Sequence, residues 1–188
     1  MSEEQEARKY RTIVADPPWR VNTGPSWGTP NTGVQNASSH ELSYPTMSIE
    51  EIVALPVGEM AASDSHLYVW TINSYLEQTY CVVREWGFKP STMLTWVKPR
   101  KGKGLGGAYS LTTEFCLFAR RGSLRPKDRW PESAFHFPRR RHSEKPEAFL
   151  DIVEQVSPGP YVELFARRAR FGWDYWGNES LGTAELAA

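Results

Sequence analysis

Residues 11–19 read Arg11-Thr12-Ile13-Val14-Ala15-Asp16-Pro17-Pro18-Trp19: a short, mostly apolar run, then an acid, two prolines and a large aromatic. The run predicts a buried strand over 11–15. The prolines forbid its continuation, because each lacks an N–H and fixes φ. Asp16 is therefore expected where a parallel strand ends, and in open α/β sheets ligands bind beyond the carboxyl ends of strands. Its carboxylate suits an exocyclic amino group as a hydrogen-bond acceptor. The Pro17 carbonyl suits the second hydrogen of that group, with Pro18 holding the carbonyl in place. Trp19 offers a flat face on which a purine can stack. The plainer reading is a strand ending in a Pro-rich turn with a core Trp, and chemistry alone leaves the two open.

The chain has 188 residues, 40% hydrophobic and 23% charged. That fits a globular protein with a sizeable core and one domain over 1–188. Cys81 and Cys116 are too few and too far apart for a zinc motif or a disulfide framework. Both fall on regular patterns and are expected as reduced core residues. There is no signal-peptide pattern or membrane-length apolar run, so a cytoplasmic location without membrane contact is expected. The net charge of zero argues against a nucleic-acid binder, but its distribution argues for one. Residues 98–145 hold 13 Lys and Arg against 4 Asp and Glu, between two acidic flanks. A basic stretch is the footprint expected of phosphate contacts.

In chain order, residues 20–43 carry Gly24, Pro25, Gly28, Pro30 and Gly33 and show no helical or strand period. So long a loop, leaving directly from the Asp16 turn, predicts a flexible lid with Trp27 as a base contact, against a passive insertion. Ser48 and Glu51 have capping-box spacing, which predicts a helix ending near Leu55-Pro56. Residues 66–71 read as a strand, 73–86 as a helix, and 91–97 as a second strand paired parallel through a crossover. A basic, Gly-rich loop follows, with Lys98, Arg100 and Lys101 suited to a nucleic-acid backbone. Residues 113–119 read as another strand. Residues 123–141 are irregular, with Trp130, Phe135 and Phe137 among cations that include Arg139, Arg140 and Arg141. The region 98–141 is thus expected to face substrate, by stacking and phosphate neutralisation. Pro146 fits the first position of a helix bearing Phe149, Ile152, Val153 and Val156. Residues 161–168 read as the last long strand. Glu163 lies inside it, and a carboxylate there needs a partner, either a cofactor or a backbone amide.

Asp16-Pro17-Pro18-Trp19 after an apolar strand resembles the signature of the MT-A70 family of adenine-N6 methyltransferases. The resemblance extends to Tyr44-Pro45-Thr46-Met47, to the Glu-aromatic-x-Leu strand beginning at Glu114, and to His142-Ser143-Glu144-Lys145-Pro146. It continues in Tyr161 to Arg168 and in Gly172 to Glu179, so it covers about residues 11–179. It implies a Rossmann-like methyltransferase fold, mainly parallel with helices on both faces. The order is permuted, with the catalytic motif N-terminal and the cofactor motif C-terminal. It implies S-adenosylmethionine as cofactor, with Lys145 at the methionine carboxylate and Arg167, Asn178 and Glu179 at ribose and adenine. Asp16 and Glu163 count with these cofactor residues, and Asp16, Pro17, Pro18 and Trp19 form the catalytic turn. Tyr44 is either a wall of the substrate pocket or a core residue. Two departures stand out: Arg167-Arg168-Ala169-Arg170 replaces the Gly-rich loop that ordinarily follows the cofactor strand, and only ten residues precede the first strand, which implies a shallower adenine pocket.

The expected reaction is methyl transfer to the N6 amino group of adenine in nucleic acid, DNA favoured over RNA, with no metal and no enzyme nucleophile. Two alternatives remain open at this point. One is a non-catalytic nucleic-acid-binding subunit with the same fold, which typically loses the acid that is intact here. The other is a cytosine-N4 methyltransferase, since the same turn holds either amino group. The oligomeric state is not readable, with a homodimer kept open.

Overall fold

The computed structural model describes residues 8–20, 46–99, 109–139 and 144–176. The expected lid beyond Arg20, and Trp27, Tyr44, Arg100, Lys101, Arg140, Arg141, Asn178 and Glu179, lie outside the described residues. Seven strands form one sheet in the order β5-β3-β4-β2-β1-β6-β7. They are β1 (Tyr10–Ala15), β2 (Ala61–Thr71), β3 (Lys89–Val97), β4 (Thr113–Arg121), β5 (Ala134–His136), β6 (Tyr161–Leu164) and β7 (Trp173–Trp176). Four helices join them: α1 (Ile49–Val53), α2 (Val57–Met60), α3 (Leu76–Glu85) and α4 (Ala148–Val156).

β1 sits centrally, parallel to β2 on one side and to β6 on the other, and β7 continues the parallel run. Burial on both faces explains its sequence: Thr12, Ile13, Val14 and Ala15 are almost fully buried. Ile13 and Ala15 share a core with Leu67, Val69, Leu117, Ala119 and the α1–α3 residues Ile52, Val57, Val82 and Val83. Val14 points the other way, into a core with Tyr68, Trp70, Cys116 and the α4 residues Phe149, Leu150 and Val153. Helices therefore cover both faces. On the α4 side the packing is aromatic, with the Phe149 ring 4.7 Å from Trp70 and 5.5 Å from Phe135. α1 begins at the expected capping box, with Ser48 N–H donating to the Glu51 carboxylate at 2.6 Å and Glu51 N–H to Ser48 Oγ at 3.2 Å.

Four expectations are corrected. β2 and β3 run in the same direction but are not neighbours, because β4 lies between them, antiparallel to both. The reason is hydrophobicity. β4 buries Cys116, Leu117 and Ala119 completely, whereas in β3 only Trp96 is buried, so β4 takes the inner place and β3 the outer. The 123–141 stretch is not wholly irregular, since β5 pairs parallel with β3 over Thr95–Val97 and buries Phe135. Helix α4 starts at Ala148 behind an N-cap at Glu147, so Pro146 precedes it. Cys81 is exposed on α3 while Cys116 is buried.

Candidate active site

The parallel strands end along one edge of the sheet. Because β4 is antiparallel, its first residues lie on that same edge, with Glu114 opposite Trp96 and Phe115 opposite Thr71. Asp16 follows β1 directly and its N–H donates to Leu164 O at 3.3 Å. Beyond it the chain turns tightly. Trp19 N–H donates to Pro17 O at 2.8 Å, and Met47 N–H donates to Pro18 O at 3.0 Å. The Pro17 carbonyl therefore already accepts one hydrogen bond and keeps its second lone pair. Trp19 is 5% exposed, stacked on Tyr75 with ring centroids 5.2 Å apart, and its Nε1 donates to Trp70 O at 2.9 Å. The structure places Trp19 in the core beneath the turn, where it fixes the backbone that carries Asp16.

Lys145 reaches Asp16 from across the sheet. Its Nζ lies 2.7 Å from Asp16 Oδ2, 3.6 Å from Glu114 Oε2 and 5.5 Å from the Trp70 ring centroid. Lys98 pairs with Glu114 Oε1 and lies 4.8 Å from the Trp96 ring centroid. Lys98 is thus turned into the site, which corrects its expected place on a phosphate-facing surface. Burial pushes the Asp16 carboxyl up, against the pull of Lys145. Burial also works against the Lys145 ammonium, but Asp16 and Glu114 outweigh it and hold its pKa above the ordinary lysine value. Glu114 is likewise desolvated, yet Lys145 and Lys98 hold it below the usual carboxylate range.

A cleft of about 460 Å³, open to solvent, adjoins this pair. Asp16, Trp70, Lys145, Phe149, Glu163, Phe165 and Arg167 line it. Glu163 has no hydrogen-bond or ion-pair partner among the described residues, and burial followed by the nearby Asp16 charge raises its pKa to about 7. Phe165, immediately after β6, adopts φ of 64°, the only non-glycine with positive φ among the described residues. It supplies the left-handed step for which glycine is the usual choice, at the point where the Gly-rich loop is absent. Arg168 closes the rim by pairing with Glu144 at 2.9 Å and Glu147 at 3.6 Å.

The site therefore unites Asp16, Pro17, Pro18, Lys145, Glu163 and Arg167. Among the described residues, the cations of the basic stretch do not gather into one patch. Arg120 and Arg121 pair with His66 and Ser65 at the opposite edge of the sheet, and Lys127 Nζ donates to Glu154 O at 2.8 Å near the end of α4. Arg139 remains exposed near the site edge, donating to Pro99 O at 3.1 Å. Phe135 and Phe137 belong to the α4-side core. Sequence reading assigned Glu114 only to a strand. The signal for its role was its place at the start of an apolar strand, and using it required knowing that the strand runs antiparallel.

The MT-A70 family model matches residues 10–179. A type II methyltransferase, M.MunI, from Mycoplasma sp is 31% identical over 92% of this chain and 78% of its own length. The human N(6)-adenine-specific methyltransferase METTL4 is 28% identical over 93% of this chain and 38% of its own length. The N6-methyladenosine RNA methyltransferase MTA1 of Cryphonectria parasitica is 27% identical over 94% of this chain and 53% of its own length. This chain thus spans most of the bacterial relative and about half or less of the two eukaryotic ones.

Proposed function

The chain belongs to the MT-A70 family of adenine-N6 methyltransferases, and from that premise we propose that it methylates the N6 amino group of adenine in DNA, using S-adenosylmethionine. The observation that carries this reading is the Asp16–Lys145 pair at the carboxyl end of the central strand, beside a cleft lined by the Glu163 carboxyl, which has no hydrogen-bond or ion-pair partner among the described residues. We read the sheet as a methyltransferase sheet in permuted order, with the catalytic turn after β1 and the cofactor strand at β6, within one domain over 1–188 acting in the cytoplasm.

The cleft suits the cofactor chemically. Its mixed lining of carboxylates and cations matches a molecule that carries an ammonium, a sulfonium, a carboxylate and ribose hydroxyls. Lys145 would hold the carboxylate, Glu163 and Arg167 the ribose side, and Asn178 and Glu179 the adenine side. The bound cofactor supplies an electrophilic methyl group. What the protein supplies is orientation. The lone pair of an adenine amino group is conjugated with the ring. Asp16 and the free lone pair of the Pro17 carbonyl accept its two hydrogens, which favours a pyramidal nitrogen and aims its lone pair. Trp19, pinned to Trp70 O and Tyr75, keeps these acceptors from drifting. The target base must already be unpaired or leave its stack.

DNA is preferred to RNA on the likeness to the bacterial type II enzyme, which matches along 78% of its own length. Arg100, Lys101, Arg139, Arg140 and Arg141 would meet phosphates, and Tyr44 the target base. The test is transfer of labelled methyl to single-stranded DNA, duplex DNA and RNA, followed by nucleoside analysis. N6-methyldeoxyadenosine is expected. N4-methylcytosine, or no product in any substrate, refutes the proposal, and label only in RNA refutes the DNA preference.

A further inference from the structure

We propose that Glu114 is a positioning residue for methyl transfer, holding the Lys145 ammonium between two carboxylates so that Asp16 keeps an oxygen free for the target amino group. The proposal rests on the reading of Asp16 given above. Lys98, Glu114, Lys145 and Asp16 form a line of alternating charges contributed by the residue after β3, by β4, by the segment before α4 and by the turn after β1. Their side chains are 13, 15, 19 and 21% exposed in that order. Charges this far from water must be compensated by their neighbours, and removing one member leaves the others exposed to uncompensated repulsion or desolvation.

Each oxygen of Glu114 has a different cation: Oε1 takes Lys98 and Oε2 faces Lys145. Lys145 in turn bonds only Oδ2 of Asp16. Oδ1 of Asp16 accepts from no group among the described residues, so it remains available. Without the Glu114 charge, two ammonium groups would compete for one acid. Lys145 would settle fully on Asp16 and would lose its proton more readily. The charged and titratable groups that face Lys145 are Asp16 from the turn after β1, Glu114 and Cys116 from β4, Lys98 after β3, Glu163 from β6 and Arg167 beyond it. Glu114 is the one among them that also neutralises Lys98.

The experiment compares wild type and Glu114→Gln, with Asp16→Asn in parallel. S-adenosylhomocysteine affinity is measured by calorimetry from pH 7 to 12, and single-turnover methylation at saturating cofactor at pH 8. In Glu114→Gln the alkaline limb of binding should move down by about one pH unit. The ligand's own amine titrates equally in both proteins. Transfer should fall about tenfold or more. A folded Glu114→Gln in which either readout keeps its wild-type value overturns the proposal. If that variant does not fold, Glu114→Asp keeps the charge and should stay within about threefold in rate with its limb in place; a tenfold loss there overturns the proposal. In wild type, NMR of lysine labelled with 13C at Cε must show Lys145 titrating above ordinary lysine, and titration at or below it overturns the proposal as well. Normal turnover in Asp16→Asn removes the reading of the whole site. Inactive Asp16→Asn beside normal Glu114→Gln removes only Glu114.

Discussion

Strand β2 meets two polar clusters, and the two are built on opposite terms. At its middle, His66 and Tyr68 form a neutral, sealed network with Ser157. His66 Nε2 lies 3.2 Å from Leu124 O, which only accepts, so that nitrogen carries the hydrogen. Nδ1, 2.7 Å from Ser157 Oγ, then accepts the serine hydroxyl, and Ser157 Oγ accepts from Tyr68 OH at 2.8 Å. Every site is filled, and His66 and Ser157 have no exposure. At the carboxyl end, Lys145 sits over Trp70 in a charged cluster that borders open space, with Glu163 unpartnered among the described residues. One helix serves both. Lys145 enters α4 at the cleft, and Ser157 leaves it at the sealed network. A satisfied neutral network stabilises, whereas charges held short of partners are stabilised by what binds them. The difference separates scaffold from site.

The sharpest break of that contrast is Asp16→Asn. The amide keeps the shape but is a weaker acceptor and presents an NH2 toward the substrate. Methyl transfer should fall about a hundredfold or more below the variant's own melting range, the scale for losing one preorganised polar partner. Near-normal turnover in a folded variant would make the turn structural. Next in size is Lys145→Ala. S-adenosylhomocysteine binding should weaken by about 1.5–3 kcal/mol through loss of a charge-assisted bond, as read by calorimetry. Unchanged affinity would remove Lys145 from the cofactor site.

Changes to the sealed cluster should do the reverse. Ser157→Ala leaves His66 Nδ1 and Tyr68 OH without a partner, costing about 1–3 kcal/mol in urea unfolding, with transfer unaltered well below the melting range. Burial holds the His66 pKa below 6.5, so the unfolded chain takes up the proton more readily. The resulting stability is present above about pH 6.5 and is lost as pH falls below it. A His66→Gln variant that shows the same acid sensitivity as wild type would contradict this. The smallest effect belongs to Glu163→Gln. In the folded protein Glu163 holds its proton until about pH 7, against an ordinary value of 4.5. The unfolded chain ionises first, so wild-type stability falls as pH rises through that window. Without cofactor, the variant should gain about 1–2 kcal/mol relative to wild type between pH 5 and pH 8. A difference that does not change with pH would mean that Glu163 has a partner after all.

What was legible in the sequence followed local chemistry. β1 and its proline stop, the capping box at Ser48 and Glu51, the apolar face of α4, and the MT-A70 signature were all readable from neighbours in the chain. What depended on competition between strands was not. That β4 would displace β3 from beside β2 follows from comparing their burial, which no single segment reveals. The inward turn of Lys98 and the role of Glu114 follow from that antiparallel insertion. Trp19 reads equally as a stacking face or as a core residue, because an aromatic after a strand end suits either role. Its burial depends on Tyr75 and Trp70, more than 50 residues away. Charge along the chain was equally ambiguous, because a run of cations can be sorted to opposite edges of one sheet.

The central place of β1 has a consequence for how the chain is made. β1 emerges first, and β2 can pair with one of its edges early. Its other edge is reserved for β6, which begins only at Tyr161. From the making of β2 until that of β6 the nascent chain therefore presents the backbone of Thr12 to Ala15 as a bare template for foreign strands. Lys145 stands 129 positions after Asp16 in the sequence, so the Asp16–Lys145 pair cannot form before the hazard is nearly over. A fragment cut before Tyr161 would carry the whole proline turn and still be aggregation-prone and inert, because the strand that closes β1 is the one that completes the cleft.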